Sequence, residues 1–200
     1  MSFTKRVGVS GIVAATLVFC GVFRVASAAV SLTESEKWLK DFLVPGSEVH
    51  PDRVSQSGWL WNSEAAVAND AESFFRLRFS LPSAPKSASF KFRFDDGGAI
   101  WLNGKRLPYD TKNTRVPEKP LLSTLTAGEN TLAVSLKNSR GPSGIVFLME
   151  IGLADGSTVF VHSDESVKAV PKAPDGWQMP GFDDSSWPAA VVQADAVGLP

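Results

Sequence analysis

The sequence has few of the residues that build metal and redox sites. Its 200 residues include one Cys and two His, too few ligands for a zinc site made of thiolates and imidazoles. Basic residues are not in excess either, since 20 Lys and Arg stand against 21 Asp and Glu. This balance argues against a general nucleic-acid binder. An apolar content of 44% is that of a globular chain, and the length predicts one domain with at most a short appendage.

The one long apolar run lies at the N-terminus. The basic pair Lys5-Arg6 precedes an apolar stretch over residues 7–22, and residues 26–28 read Ala-Ser-Ala. This order is typical of a secretory signal peptide over residues 1–28 with a small-residue cleavage site at its end. The apolar run is shorter than the ~20 residues that a spanning helix needs. An uncleaved N-terminal anchor is the alternative.

Cleavage at this site would change the charge and the cysteine count. The mature chain would lose three basic residues and the lone Cys20, which shifts the formal net charge from −1 to −4 and leaves no disulfide. Cys20 also invites a lipid-anchor interpretation because Leu17 lies three residues before it, but Phe19 is large where such sites keep a small residue. We therefore expect an exported protein, secreted or periplasmic, without a membrane span after cleavage and without affinity for nucleic acid.

A short amphipathic α-helix is predicted after the signal peptide. Residues 33–36, Thr-Glu-Ser-Glu, fit a capping box. The residues that follow place four large apolar side chains on one helical stripe: Trp38, Leu39, Phe42 and Leu43. Pro45-Gly46 ends the helix. A helix of about ten residues is not stable alone, so its apolar stripe should dock on another part of the protein. Residues 29–57 are thus predicted to be a short helix and a polar linker.

From Gly58 onward the period of the sequence changes to two, as in half-buried strands. Apolar and polar residues alternate over 75–81, 88–94 and 131–137. The segment 145–153 is apolar on both faces and should lie centrally in a sheet, while residues 158–162 form a further strand. Many short strands and no second helical run predict an all-β fold over residues 58–200, an antiparallel β-sandwich or jelly roll.

Four basic residues alternate with the apolar residues of the first two strands: Arg76, Arg78, Lys91 and Arg93. Because their aromatic neighbours face the core, these side chains are predicted to lie on a solvated outer face. Such a face differs from the stacking platform of a nucleic-acid binder, where the aromatic residues themselves are exposed.

Turn residues agree with an antiparallel fold. Asn103-Gly104 and Asp155-Gly156 are each predicted to form a two-residue type I′ hairpin, because both central residues of that turn need a positive φ. Residues 109–120 are polar and contain two prolines, and we expect a long loop there.

Six stretches together resemble a known family: 58–62 (GWLWN), 74–79 (FFRLRF), 94–105 (FDDGGAIWLNGK), 127–134 (AGENTLAV), 164–166 (DES) and 181–187 (GFDDSSW). In this order and spacing they are similar to the galactose-binding-like β-sandwich that forms the N-terminal domain of bacterial α-L-rhamnosidases and related secreted glycoside hydrolases. The resemblance covers about residues 58–195. It implies a jelly roll that binds carbohydrate or supports an adjacent catalytic domain, with the catalytic residues in that other domain. Some relatives use calcium, so a structural calcium ion stays open, and no other cofactor is implied.

Asp95 and Asp96 are the first candidate ligand-binding residues. Neighbours in a strand point to opposite faces, so the two carboxylates would not form an acid–base pair across one substrate. Either one could accept sugar hydroxyls or contribute to a calcium site. The alternative is that they cap a turn at Gly97-Gly98 through side-chain to backbone hydrogen bonds.

Trp101 and Asn103 are the second pair of candidates, and they share one face of their strand. A Trp ring offers a flat surface to the C–H face of a sugar, and an Asn amide both donates and accepts hydrogen bonds with hydroxyls. Packing between sheets would equally explain Trp101, and the type I′ turn would explain Asn103. The sequence offers no catalytic or metal-binding residue with comparable support.

These patterns predict non-catalytic carbohydrate recognition by an exported module that assists glycoside or polysaccharide degradation. A structural or interaction module without a small ligand, packing on a catalytic domain, is the alternative. A glycoside hydrolase in its own right ranks last, because neither paired carboxylates nor a nucleophile elbow is present in the pattern. The expected partners are a carbohydrate or an adjacent catalytic domain, and the expected state is a monomer.

Overall fold

The protein was analysed as a computed structural model, which describes residues 57–62, 69–94, 96–110, 115–141 and 143–195. The predicted signal peptide, the predicted helix at residues 33–43 and nearly all of the predicted linker lie outside these residues. So does Asp95.

The described chain is an antiparallel β-sandwich of two sheets, as the alternating pattern predicts. Sheet A has the strand order β11-β1-β8-β3-β6, with β9 also paired to β8, and sheet B has the order β10-β2-β7-β4-β5. The strands are β1 (Gly58–Trp61), β2 (Glu72–Leu81), β3 (Pro85–Phe94), β4 (Gly97–Leu102), β5 (Lys105–Arg106), β6 (Arg115–Val116), β7 (Gly128–Lys137), β8 (Ile145–Leu153), β9 (Thr158–His162), β10 (Lys168–Val170) and β11 (Val191–Asp195). One short helix, α1 (Glu118–Leu122), lies between β6 and β7.

The main core lies between the two sheets and is built from the inward-facing residues of the alternating strands. Its largest contributions come from β2, β3, β7 and β8: Phe75, Leu77, Leu81, Phe90, Phe92, Leu132, Val134, Leu136, Ile145, Phe147, Met149 and Ile151. Phe90 packs edge-on against Phe147 with ring centroids 6.0 Å apart, a geometry that aromatic pairs favour. The predicted strands and their inward faces are therefore confirmed, and β8 lies centrally in its sheet.

The two predicted hairpins have different outcomes. Asn103 and Gly104 have φ values of 50° and 78°, which confirms a turn with a positive φ at both central residues between β4 and β5. At the second hairpin only Gly156 has a positive φ, of 87°, and the Leu153 amide donates to Ser157 O at 2.8 Å. The type I′ prediction for Asp155-Gly156 is therefore wrong, because the connection is longer and needs one left-handed glycine rather than two such residues.

The predicted loop over residues 109–120 is also wrong in part. Arg115 bridges back to Asp110, β6 pairs with β3, and α1 buries Leu121 completely in the main core. Pro117 precedes the first residue of α1, where its missing amide hydrogen costs nothing. The polar composition concealed a short edge strand and a single helical turn.

The outer face of sheet B is covered by residues 171–190, which we call the covering segment. Ala133, Trp177 and Trp187 form a second buried apolar cluster, and Phe74 and Trp101 pack against it. The Trp177 and Trp187 rings stack with their centroids 6.4 Å apart. Sheet B thus buries both of its faces where the covering segment lies over it.

Four basic residues were predicted to be exposed to solvent, and this prediction is wrong for two of them. Arg76 is 1% exposed because the covering segment lies over it, and Lys91 is 6% exposed on the outer face of sheet A. Arg93 is half-buried, while Arg78 stays exposed. Strand alternation assigns residues to two faces, but it does not say whether a second layer covers the outer one.

Lys91 leads to a prediction about stability and pH. Burial, and secondarily the positive charge of Arg115, lower the pKa of Lys91 from 10.5 to about 8. The unfolded chain therefore binds a proton that the folded chain lacks between these two pH values, so stability should rise as the pH increases from 8 to 10.5. We expect Lys91→Met to stabilise the protein by about 2 kcal/mol at pH 7 and to abolish that rise. Urea unfolding across this pH range measures both effects.

Lys86 provides the matched control, because it lies exposed on the same strand. Lys86→Met should leave the stability within about 0.5 kcal/mol of wild type and should keep the alkaline rise. An unchanged alkaline rise in Lys91→Met would contradict the assignment to Lys91.

In the part of the chain that the structure describes, no helix is long and apolar enough to cross a membrane.

Candidate functional site

Asp96 lies at a corner between the two sheets rather than beside a hairpin. β3 ends at Phe94 in sheet A and β4 begins at Gly97 in sheet B. The predicted turn at Gly97-Gly98 is therefore wrong, because both glycines are paired residues of β4. Asp96 itself has a φ of 68°, a left-handed conformation that Asp tolerates better than most residues.

The Asp96 carboxylate fastens this corner to the loop that joins β7 and β8. Asp96 Oδ2 accepts hydrogen bonds from the amides of Ser139 and Arg140 at 2.5 and 3.4 Å. The side chain is nevertheless exposed. Two main-chain amides thus orient the carboxylate of an exposed residue.

Several connections meet around Asp96, at the end of the sandwich where β1, β3 and β7 finish and β2, β4 and β8 start. We call this the Asp96 end. Tyr109 donates its hydroxyl hydrogen to Gly98 O at 2.6 Å, and Asn62 Nδ2 donates to Glu72 O at 3.2 Å. These side-chain bonds fix the connections to the strands, so the exposed polar groups here lie on a rigid frame.

Trp101 does not lie between the sheets. Its neighbours Ile100 and Leu102 face the main core with no exposed surface, so Trp101 faces outward from sheet B. There it meets the covering segment, with its ring 5.4 Å from the Trp177 ring in an edge-on arrangement. Trp101 is half-buried, and its role as a sugar platform stays a prediction.

The Asn103 side chain is bonded to Thr124 and to the start of β7. Its Nδ2 donates to Thr124 O and to Asn130 Oδ1, each at 2.9 Å, and its Oδ1 accepts from the Thr131 amide at 2.8 Å. Both amide hydrogens are thereby used, which leaves one lone pair on Oδ1 for any ligand. Ligand contact by Asn103 stays a prediction, and the contacts present stabilise the turn.

The structure brings Trp101 and Asn103 to one end of β4 and Asp96 to the other. Seven residues separate Asp96 from Asn103, which is roughly 23 Å along an extended strand. One monosaccharide cannot reach both ends. The predicted residues therefore do not form a single site, and the two ends of β4 have to be considered separately.

A buried ion-pair cluster lies beneath the covering segment, and sequence reasoning missed it. Asp184 is 4% exposed and Arg76 is 1% exposed. Arg76 Nε donates to Asp184 Oδ2, and Arg78 Nη2 donates to Asp184 Oδ1, both at 2.9 Å. Lys168 Nζ lies 3.4 Å from the same Oδ1. Asp184 belongs to the stretch 181–187 that contributes to the family resemblance, but nothing in the sequence indicated a partner 108 residues away.

The charges of this cluster favour the ionised carboxylate. Burial alone would raise the pKa of Asp184, but the hydrogen bond from Arg76 and the positive charges of Arg78, Arg76 and Lys168 outweigh it. The pKa of Asp184 is therefore held below 3.8. The Arg76 guanidinium also donates to the carbonyl oxygens of Trp177 and Met179. These contacts tie Arg76 to three residues of the covering segment and identify the cluster as a structural clamp on that segment.

The family resemblance leaves a structural calcium ion open, and the Asp96 end carries the carboxylate named for it. Ca²⁺ takes about six to eight oxygen ligands. Within the described residues no three Asp, Glu, His or Cys side chains come together, and Asp96 Oδ2 already accepts two amide hydrogens. A structural calcium ion therefore stays a prediction.

The two sheets and the covered outer face of sheet B define an antiparallel β-sandwich module. Comparison with known proteins then connects the chain to a particular enzyme. It is homologous to a segment of the alpha-L-rhamnosidase of Streptomyces avermitilis, with 33% identity over 171 residues that span 80% of this chain and 16% of the enzyme. The crystal structure of the Streptomyces avermitilis enzyme complexed with L-rhamnose superposes with a TM-score of 0.62 and 31% identity, covering 71% of this chain and 15% of that one.

Two further solved structures share the fold at lower identity. A lectin from Pleurotus ostreatus in complex with GalNAc has a TM-score of 0.59 and 24% identity, over 71% of this chain and 44% of the lectin. A GH78 family rhamnosidase of Bacillus sp. GL1 has a TM-score of 0.61 and 19% identity, over 72% and 19% of the two chains. No family model matches the sequence. The chain spans about a sixth of the length of the Streptomyces enzyme to which it is homologous.

Proposed function

We propose that this chain is an exported, non-catalytic carbohydrate-binding module that accompanies glycoside degradation. The observation that carries the proposal is the homology to one segment of an alpha-L-rhamnosidase whose crystal structure contains L-rhamnose. The predicted signal peptide at residues 1–28 supports export. L-rhamnose is accordingly the first ligand to test, followed by galactose and GalNAc.

The Asp96 end is the better candidate for the binding surface. Asp96 is exposed, and its carboxylate is oriented by two amides, so Oδ1 can accept a sugar hydroxyl without first becoming ordered. A hydroxyl-to-carboxylate hydrogen bond is charge-assisted and about twice as strong as a neutral one. At the other end of β4, by contrast, both amide hydrogens of Asn103 are already bonded to protein atoms.

The non-catalytic assignment is supported by the carboxylates of the described residues. Glycosidases use two carboxyl groups that flank the scissile bond. Asp184 is enclosed by Arg76, Arg78 and Lys168 and is therefore unsuited to proton transfer with a substrate. Asp183 accepts hydrogen bonds from its own turn at Ser185.

Binding can be tested by calorimetry and NMR titration of the purified protein with L-rhamnose, galactose and GalNAc, with calcium and with EDTA. We expect saturable binding of at least one sugar, weakened about tenfold or more by Asp96→Asn because the charge-assisted bond is lost. Asn tolerates the positive φ at this position, so the corner should stay folded. Asp183→Asn, an exposed carboxylate within the covering segment, is the matched control and should bind like wild type.

Other outcomes separate the alternatives. Binding lost in Trp101→Ala but retained in Asp96→Asn would move the site to the other end of β4. Failure to bind any sugar on a broad glycan array would overturn the proposal in favour of a structural module. Hydrolysis of aryl glycosides that Asp96→Asn abolishes would overturn the non-catalytic assignment.

A further inference from the structure

The outer face of sheet A carries buried apolar side chains that neither apolar cluster of the described residues includes. In β8 the residues that alternate with the core positions are Val146 and Leu148, which are 0% and 8% exposed. Trp59, in the adjoining strand β1, is 4% exposed. Its ring lies against Gly144, where a Cβ atom would come within 3.2 Å of Trp59 Cε3. We call Trp59, Val146 and Leu148 the outer patch.

Polar groups beside the outer patch indicate that its cover is apolar. Lys91 is the cross-strand neighbour of Leu148 and therefore shares its face. Lys91 Nζ and Trp59 Nε1 are both buried, and among the described residues neither has a hydrogen-bond partner. Water or a polar surface over this face would supply acceptors, and burying such donors without them is costly. The lowered pKa of Lys91 has the same origin in burial.

The sequence before β1 contains a segment suited to this cover. Trp38, Leu39, Phe42 and Leu43 form an apolar stripe that a helix of about ten residues must bury in order to persist. The chain enters sheet A itself at Gly58, next to the outer patch. The 12 residues 45–56 can span up to ~40 Å when extended, more than the width of a few strands.

We propose that residues 33–43 form an amphipathic helix that lies on the outer patch, with its apolar stripe against Trp59, Val146 and Leu148. The N-terminal segment is then a third layer of the module rather than a linker to it. The covering segment protects the outer face of sheet B, and this helix protects the outer face of sheet A. The inference is independent of sugar binding.

The proposal can be tested with two Ser substitutions in the purified protein, its N-terminal segment intact. Phe42→Ser alters the stripe, and Lys37→Ser alters the opposite face of the same helix at a similar cost in helix propensity. The first readout is the rate at which an amine reagent labels Lys91, followed by mass spectrometry. We expect Phe42→Ser to raise this rate about tenfold or more, because loss of the cover exposes the amine. Lys37→Ser should leave the rate unchanged.

Hydrogen exchange and sedimentation complete the test. Amides of residues 36–43 should be protected in wild type and in Lys37→Ser, and should exchange rapidly in Phe42→Ser while the strands stay protected. Equal Lys91 labelling in all three proteins would overturn the proposal. So would labelling that falls with protein concentration together with a dimer in sedimentation, since a second copy would then be the cover.

Discussion

Asp184→Ala should lower the stability of the protein by about 3–5 kcal/mol in urea unfolding. The substitution removes the acceptor of a guanidinium that is 1% exposed, and an uncompensated buried charge is among the most costly defects in a fold. The covering segment should detach first, since Arg76 and Arg78 hold it to sheet B through the Asp184 carboxylate. Trp177 and Trp187 would report that step by fluorescence.

The neighbouring carboxylate provides the control. Asp183 is exposed and accepts a hydrogen bond from the Ser185 amide of its own turn, so Asp183→Ala should change the stability far less than Asp184→Ala does. Replacing both partners, with Arg76→Met and Asp184→Leu together, should recover much of the loss because no buried charge remains. If Asp184→Ala costs no more than Asp183→Ala, the cluster does not clamp the covering segment to sheet B.

The same cluster should make the protein less stable at acid pH. The pKa of Asp184 in the folded protein is held below 3.8. The stabilisation that Asp184 gives the fold is therefore complete above the pKa that this residue has in the unfolded chain. It is lost as the pH falls through the pKa of the folded protein. Asp184→Ala should therefore show a smaller drop in stability between pH 5 and pH 2 than wild type does.

The inner faces of the sandwich could be predicted from the sequence, whereas the outer faces could not. Alternation at Phe75, Phe90 and Val134 gives the core side because burial between sheets follows the pleat. The same alternation made Arg76 look solvated, although Asp184, over a hundred residues later, covers it. Contacts of this separation leave no local trace in the sequence, since each partner also fits an ordinary exposed strand or turn.

The candidate site was predictable to a similar degree. The sequence identified Asp96 and Asn103 as special positions, and both have a positive φ. It could not show that the two residues lie at opposite ends of β4. Nor could it show that Asp96 bonds the loop after β7 while Asn103 stabilises the turn after β4. Asn103 is hydrogen-bonded to Thr124, which lies after α1, and to Asn130 in β7. The corner at Asp96 was mistaken for a turn at Gly97-Gly98 because a double glycine usually marks one.

Gly98 is the second position at which we expect a substitution to cause a large loss of stability. Gly98→Ala should destabilise the protein by about 3 kcal/mol or more. A Cβ at Gly98 would lie 2.3 Å from Ser135 O, which is main chain of the paired strand β7, and 2.9 Å from Leu136 Cδ2. A backbone oxygen in a strand ladder cannot move aside as a surface side chain would. β4 must then shift away from β7, and the Gly98 carbonyl should leave the Tyr109 hydroxyl.

Gly97→Ala is a close control, because it adds the same methyl group one residue earlier in the same strand. Nothing lies within 4 Å of a Cβ at Gly97, so the substitution should be neutral within about 0.5 kcal/mol, or slightly stabilising through reduced freedom of the unfolded chain. Tyr109 is the one tyrosine of the sequence, so its near-ultraviolet absorbance reports the bond to Gly98 O. Gly98→Ala should shift that absorbance in the folded protein, and Gly97→Ala should not. Equal urea midpoints for the two variants would mean that β4 does not approach β7 this closely, and that the frame of the Asp96 end is looser than a preorganised binding surface requires.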